Sequence, residues 1–194
     1  MLKGIRVLDF TRLLPGPYAT QILADLGAEV IKVEEPIKGD YTRKSLTQAI
    51  DGNSFGFHAL NRGKKSVSLN LKKQSDKLLC HKLISTADVV IESFRPGVMK
   101  KLGFAPQDLL IKHPSLIICS ISGYGQTGPN HMRAGHDINY ISKAGLTWLI
   151  KTPSLAPAQI ADLCGGSFPA ALQIIAALYY RQNNGNKGTL STYP

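Results

Sequence analysis

Apolar positions along the chain switch repeatedly between two periods. "IRVLDF" (5–10) and "EVIKVE" (29–34) are short β-branched runs, and "PYATQILADLG" between them has helical spacing with Gly27 as its stop. After a loop containing Gly39, Gly52 and Gly56, "KSVSLNL" (65–71) alternates as a strand does. "SDKLLCHKLISTA" (75–87) follows as a helix, with Ser75 as its N-cap and Leu78, Leu79, Leu83 and Ile84 on one apolar face. "DVVIESF" (88–94) and "SLIICSISGYG" (115–125) are buried-strand patterns, separated by helical segments at 98–103 and 106–112. Strands alternating with helices at this spacing predict βαβ units: an α/β fold with a Rossmann-like, mainly parallel sheet flanked by helices.

Beyond Gly125 the pattern changes. "HDINYISKAGLTWLI" (136–150) reads as helix, "KTPSLAPAQ" as an irregular connection, and "FPAALQIIAALYYRQNN" (168–184) as a long apolar helix ending near Gly185 and Gly188. "NKGTLSTYP" starts a strand and stops, so the chain looks cut short after a helix. The expected organisation is one α/β domain over 1–188 and a departing tail at 189–194.

Charge narrows the choice of ligand. Lys plus Arg outnumber Asp plus Glu by 23 to 13, a net charge of +10 that favours anionic partners. Aromatic content is only 7%, and Tyr41, Phe55 and Phe57 are not interleaved with the lysines, which argues against nucleic acid. Cys80, Cys119 and Cys164 are widely spaced, with no metal-ligand cluster, and read as reduced thiols of an intracellular, cytoplasmic protein. The N-terminus lacks a secretory h-region, and no apolar run reaches the roughly 18 residues that span a bilayer, so no membrane is expected.

The turn after the first strand, "TRLLPGPYA", has one glycine between two prolines where a dinucleotide site needs GxGxxG. No Walker A loop is present either. Basic residues cluster instead in "NRGKKSVSLNLKK" and "FRPGVMKKLG". A solvated basic face is the plain reading of both. Arg95, though, follows a strand at its C-terminal end, where open α/β sheets bind ligands and where a guanidinium can fork onto phosphate. Arg62 precedes its strand and approaches from another side.

Two places in the chain offer acid or base candidates. His136 and Asp137 lie at a helix N-terminus, where free N–H groups collect; they either cap the helix or supply a base beside an oxyanion donor. Asp162 precedes a double glycine and an apolar helix, so it is either a turn residue or a carboxylate whose pKa burial raises. Asp9 and Asp25 read as structural.

Six segments then occur in order: "GIRVLDFTRLLPGPYATQILADLGAEVIKVEEP", "NRGKKSVSLNLK", "VVIESFRPGVMKKLG", "SISGYGQTGP", "GHDINYI" and "ADLCGG". Together they resemble the family III CoA-transferase (CaiB/BaiF) superfamily, most closely its α-methylacyl-CoA racemase branch. The resemblance implies an acyl-CoA substrate, with CoA as part of the substrate and no permanently bound cofactor or metal. It implies CoA contacts at Arg62 and Arg95, with Lys64, Lys65 and, by proximity only, Arg43 as further candidates. His136 and Asp162 resemble the racemase acid/base pair, and the Asp137 N–H would stabilise the enolate. A CoA transferase, with Asp162 as nucleophile, is the alternative; a non-catalytic CoA-binding remnant is a third reading. Family members are longer and form interlocked homodimers, so the resemblance implies that the C-terminal half is missing here.

Overall fold

A computed structural model describes residues 1–45, 47–150 and 158–193. Its strands are β1 (Arg6–Phe10), β2 (Glu29–Glu34), β3 (Lys65–Ser68), β4 (Val89–Glu92), β5 (Ile117–Ile121) and β6 (Leu190–Tyr193). They pair in parallel in the order β3-β2-β1-β4-β5-β6, so the expected parallel α/β architecture is present. The order reverses between β1 and β4. Connections leave the strand carboxyl ends in opposite directions there and open a crevice.

Helices cover both faces: α1 (Pro15–Asp25), α2 (Phe55–Asn61), α3 (Gln74–Ile84), α4 (Val98–Leu102), α5 (Pro106–Lys112), α6 (Asp137–Lys143), α7 (Leu146–Leu149) and α8 (Phe168–Asn183). Val7, Val89, Ile91, Ile117 and Cys119 point to one face and pack with Ala19 and Leu23 of α1 and Ile174 and Leu178 of α8. Leu8, Phe10, Val90 and Ile118 point to the other, against Cys80 and Ile84 of α3, Met99, Phe104 and Leu109. Every residue of β4 and β5 is buried, which is why both read as continuous apolar runs rather than alternating ones.

Several boundaries differ from the sequence pattern. Lys73, not Ser75, stands at the N-cap of α3, and the Ser75 hydroxyl donates to Asp76. Leu78 and Leu79 face solvent; the packed stripe is Cys80 and Ile84, one turn apart. The helix expected over 136–150 is broken into α6 and α7 at Gly145, whose φ of 83° ends one helix and begins the next. β3 and β5 are shorter than their apolar runs: the pairing of β3 with β2 ends at Ser68, and that of β5 with β6 at Ile121. Residues 190–193, expected to leave as a tail, join the sheet beside β5. The connection expected at 151–159 falls mostly outside the described residues.

The expectation about apolar runs also needs correcting. Ala161–Asn183 forms a continuous helix of 23 residues containing an 18-residue stretch of mean hydropathy 1.4, long and apolar enough to cross a membrane by length and composition alone. Its inner face, Ala170, Ala171, Ile174, Ala177 and Leu178, is packed in the core of the sheet.

Candidate active site

At the carboxyl ends of β1 and β2 the chain buries four charges together. Asp9 is fully buried; its carboxylate accepts from the Thr11 N–H at 2.8 Å and from the Thr20 hydroxyl at 2.6 Å. Lys64 reaches it at 3.4 Å and also donates to the Pro17 carbonyl, the Thr20 hydroxyl and the Asn61 amide oxygen. Lys32 lies 2.8 Å from Asp40 and donates to the Thr11 carbonyl. Burial pushes the Asp9 carboxyl up, but the two lysines and two threonines outweigh it and hold the pKa at about 2. Burial likewise lowers Lys64 to about 8, against the pull of Asp9.

Beside this network, Glu34 receives both Nε and an Nη of Arg43 at 2.7 Å, and the Arg43 guanidinium lies 3.9 Å from the centre of the Phe57 ring. Burial would raise Glu34, yet Arg43, Ser66 and the Asp40 N–H bring it to about 2.

The second cluster is built differently. A π-helical turn, Ala161–Ser167, runs directly into α8. It is pinned over the start of α1 by the Ser167 hydroxyl, which donates to the Pro15 carbonyl at 2.8 Å. Gly166 lies against Pro15 and Ile121, so the turn sits at the carboxyl ends of β1 and β5. Asp162 is on this turn, and its backbone N–H donates to Asp137 Oδ1 at 2.9 Å. Asp137 is buried at the first position of α6, with His136 at the N-cap. Asn139 closes the cap, accepting the His136 N–H at 2.9 Å and donating its own N–H to the His136 carbonyl at 2.8 Å.

Burial and the Asp137 charge raise the Asp162 carboxyl to about 6, with His136 pulling the other way. The structure therefore brings together the three residues that the sequence singled out for chemistry. Asp137 was expected to act through its N–H; its side chain also ties the two segments together. At neutral pH an Asp162 with this pKa is mostly ionised, and among the described residues no Lys or Arg pairs with it. Such a carboxylate can act as nucleophile or as base.

The cationic candidates scatter. Arg95 is exposed just after β4, at the crevice. Nearby, the Arg12 guanidinium lies 5.3 Å from the ring centres of both Tyr41 and Phe94. Arg62 pairs with Asp25 at the end of α1, and Lys65 pairs with Glu29 at the start of β2. Both therefore sit at the amino ends of the strands, away from Asp162. Lys64 and Arg43 are held by Asp9 and Glu34. Sequence reasoning missed Arg12 and the carboxylate of Glu92, which burial raises and which accepts the Phe94 N–H at 2.7 Å. The proline-rich turn after β1 and the acidic end of a buried strand were the available signals.

An open, doubly wound parallel sheet with a half-buried aspartate above its strand carboxyl ends defines an α/β protein with a crevice at its topological switch point. The model of CoA-transferase family III matches residues 2–192, and the chain belongs to that family. It is 42% identical over 191 residues to a protein of Mycobacterium tuberculosis named a probable fatty acyl-CoA transferase, covering 95% of this chain and 48% of that one. It is 39% identical over 188 residues to mouse succinyl-CoA:glutarate CoA-transferase, covering 95% and 43% respectively.

Among solved structures, a CaiB/BaiF family protein from Brucella suis superposes with a TM-score of 0.92 at 36% identity, over 99% of this chain and 52% of that one. The chain thus spans about half the length of the relatives it matches. Those with a stated activity are transferases, which displaces the racemase branch as the leading expectation.

Proposed function

We propose that this chain carries the nucleophile-bearing part of a CoA transferase that moves CoA between carboxylic acids. The observation that carries the reading is Asp162: half-buried, raised to about 6, fixed by its own N–H to Asp137, and free of a pairing cation among the described residues.

In this reading Asp162 attacks the carbonyl carbon of an acyl-CoA, the C–S bond breaks, and CoA leaves as thiolate. The thiolate then attacks the aspartyl carbonyl of the resulting anhydride, releasing the donor carboxylate and leaving an aspartyl-CoA thioester. An acceptor carboxylate attacks that thioester and CoA is returned to the new acyl group. Arg95 and Arg12, at the crevice beside Phe94, are the cations suited to CoA phosphates; Arg62, Lys65, Lys64 and Arg43 are occupied elsewhere. The three unpaired cysteines fit a reducing compartment such as the cytoplasm.

Intact-mass spectrometry after incubation with succinyl-CoA tests the reading. A covalent CoA adduct on Asp162, absent in Asp162→Asn, is expected; an unmodified chain at saturating acyl-CoA overturns it. His136 lies close enough to influence Asp162, which favours one second reading, two-base exchange at the α-carbon. Deuterium uptake into a 2-methylacyl-CoA without any acceptor acid, lost in His136→Ala, would support that reading over transfer.

A further inference from the structure

The positive charge is unevenly divided between the two layers of helices. On one face of the sheet, α1 and α8 carry one charged residue each, Asp25 and Arg181, and both are in ion pairs. On the other, α3, α4 and α5 share one core and carry Lys77, Lys82, Lys100, Lys101 and Lys112, with Lys73 at the N-cap of α3. Among the described residues none of these six lysines is ion-paired with a carboxylate. The acidic residues of the three helices are Asp76 and Asp108, and Asp76 already accepts from the Asn70 N–H and the Ser75 hydroxyl.

Two contacts join these helices into one surface. The His81 ring of α3 lies 4.7 Å, centre to centre, from the Phe104 ring between α4 and α5, and the Lys77 ammonium lies beside Gly103 at the end of α4. Burial, and then the charges of Lys112, His113 and Lys77, lower the His81 pKa, so all three cations act on the same spot. Hydrocarbon is exposed among them. Leu78, Leu79 and Ile111 face solvent, Leu78 one helical turn from Lys82 and Ile111 next to Lys112.

Exposed leucines interleaved with unpaired lysines suit a layer of anionic lipid headgroups: the ammoniums meet phosphate while the leucines enter the acyl boundary. Nucleic acid would call for stacking aromatics, and the one aromatic ring of these helices and their joints, Phe104, is buried. We infer that the α3–α5 face is a peripheral docking surface for an anionic phospholipid membrane. Attachment is from one side, without a span, and the Asp162 turn, pinned to α1, faces away from the lipid. The inference is independent of the transferase reading.

Cosedimentation of the full chain with phosphatidylcholine vesicles, with and without about a third phosphatidylglycerol, tests it. Binding is expected only to the vesicles containing phosphatidylglycerol, and it should weaken at least tenfold between about 0.1 M and 0.5 M NaCl. The triple variant Lys73→Gln, Lys77→Gln, Lys82→Gln should weaken it roughly a hundredfold, and Leu78→Ser with Leu79→Ser roughly tenfold. These are exposed or partly exposed positions, and circular dichroism is expected to show the parent fold in both variants. Leu172→Ser, on the exposed side of α8, should bind as the parent does. Equal binding to phosphatidylcholine alone, or parental binding by the lysine variant, overturns the inference. So does a loss confined to Leu172→Ser, which would move the contact to α8. Binding that ignores the leucine pair also overturns it, because a surface that reads charge alone fits an acidic protein rather than a membrane.

Discussion

The Asp9 network and the Asp162 cluster both place carboxylates at strand carboxyl ends, and they treat charge in opposite ways. Around Asp9 each negative group meets an ammonium or a hydroxyl, and the pKa falls to about 2. Around Asp162, burial and the charge of a second carboxylate, Asp137, act together, and the pKa climbs to about 6. Full pairing makes a charge part of the scaffold, because removing either partner strands the other in low dielectric. Incomplete pairing leaves a group poised to react. In the transferase reading, the contrast separates a structural aspartate from a chemical one without reference to their positions in the sequence.

The comparison breaks most severely at Asp9. Asp9→Asn leaves Lys64 and Lys32 facing a neutral amide in the core, and urea denaturation is expected to show a loss of about 3–5 kcal/mol. Asp162→Asn should do the opposite: no covalent adduct in the mass spectrum, yet a chain more stable at pH 7 by about 1 kcal/mol, after discounting for partial exposure.

The pH dependence sharpens the same point. Asp9 and Glu34 have lower pKa values folded than unfolded, so the unfolded chain binds more protons as the pH falls from about 4 towards 2, and stability drops through that window. Asp162 is raised on folding, so between about 6 and 4 it is the folded chain that takes up the extra proton, and this group adds stability as the pH falls. Thermal melts across pH 2–7 for the parent and Asp162→Asn isolate the second slope as the difference between the two curves.

A smaller effect belongs to Asp137→Asn, which removes the charge that helps raise Asp162. The acid limb of adduct formation, near pH 6 in the parent, should move to lower pH; an unmoved limb would mean that burial alone sets it.

The sheet was legible from the sequence because β1, β2, β4 and β5 are short apolar runs bounded by turn residues, and no other element type fits such runs between helical patterns. The α3 face was misread because Leu78 and Leu79 match the apolar period, whereas packing selected the stripe through Cys80 and Ile84, and solvent tolerates exposed leucines. The chemical trio of His136, Asp137 and Asp162 was nameable from ordered motifs, but the bond from the Asp162 N–H to the Asp137 side chain joins residues 25 apart through tertiary folding that no local period encodes. The basic candidates fared unevenly for the same reason. Adjacent in sequence, Lys64 and Lys65 point to opposite sides, one into the Asp9 network and one to Glu29 at the far end of the strands.

The wide turn at Ala161–Ser167 has a genetic meaning. A π-helical turn is what an α-helix becomes when it accommodates one extra residue, and each residue turns the helix by about 100°. Loss of a single codon between Asp162 and Ser167 would let the segment relax to ordinary α-helix and swing Asp162 by roughly a quarter-turn or more, away from Asp137, while α8 kept its seat on the sheet. In the transferase reading Asp162 is thus aimed by one surplus residue, and a three-base deletion is expected to abolish the CoA adduct without unfolding the chain.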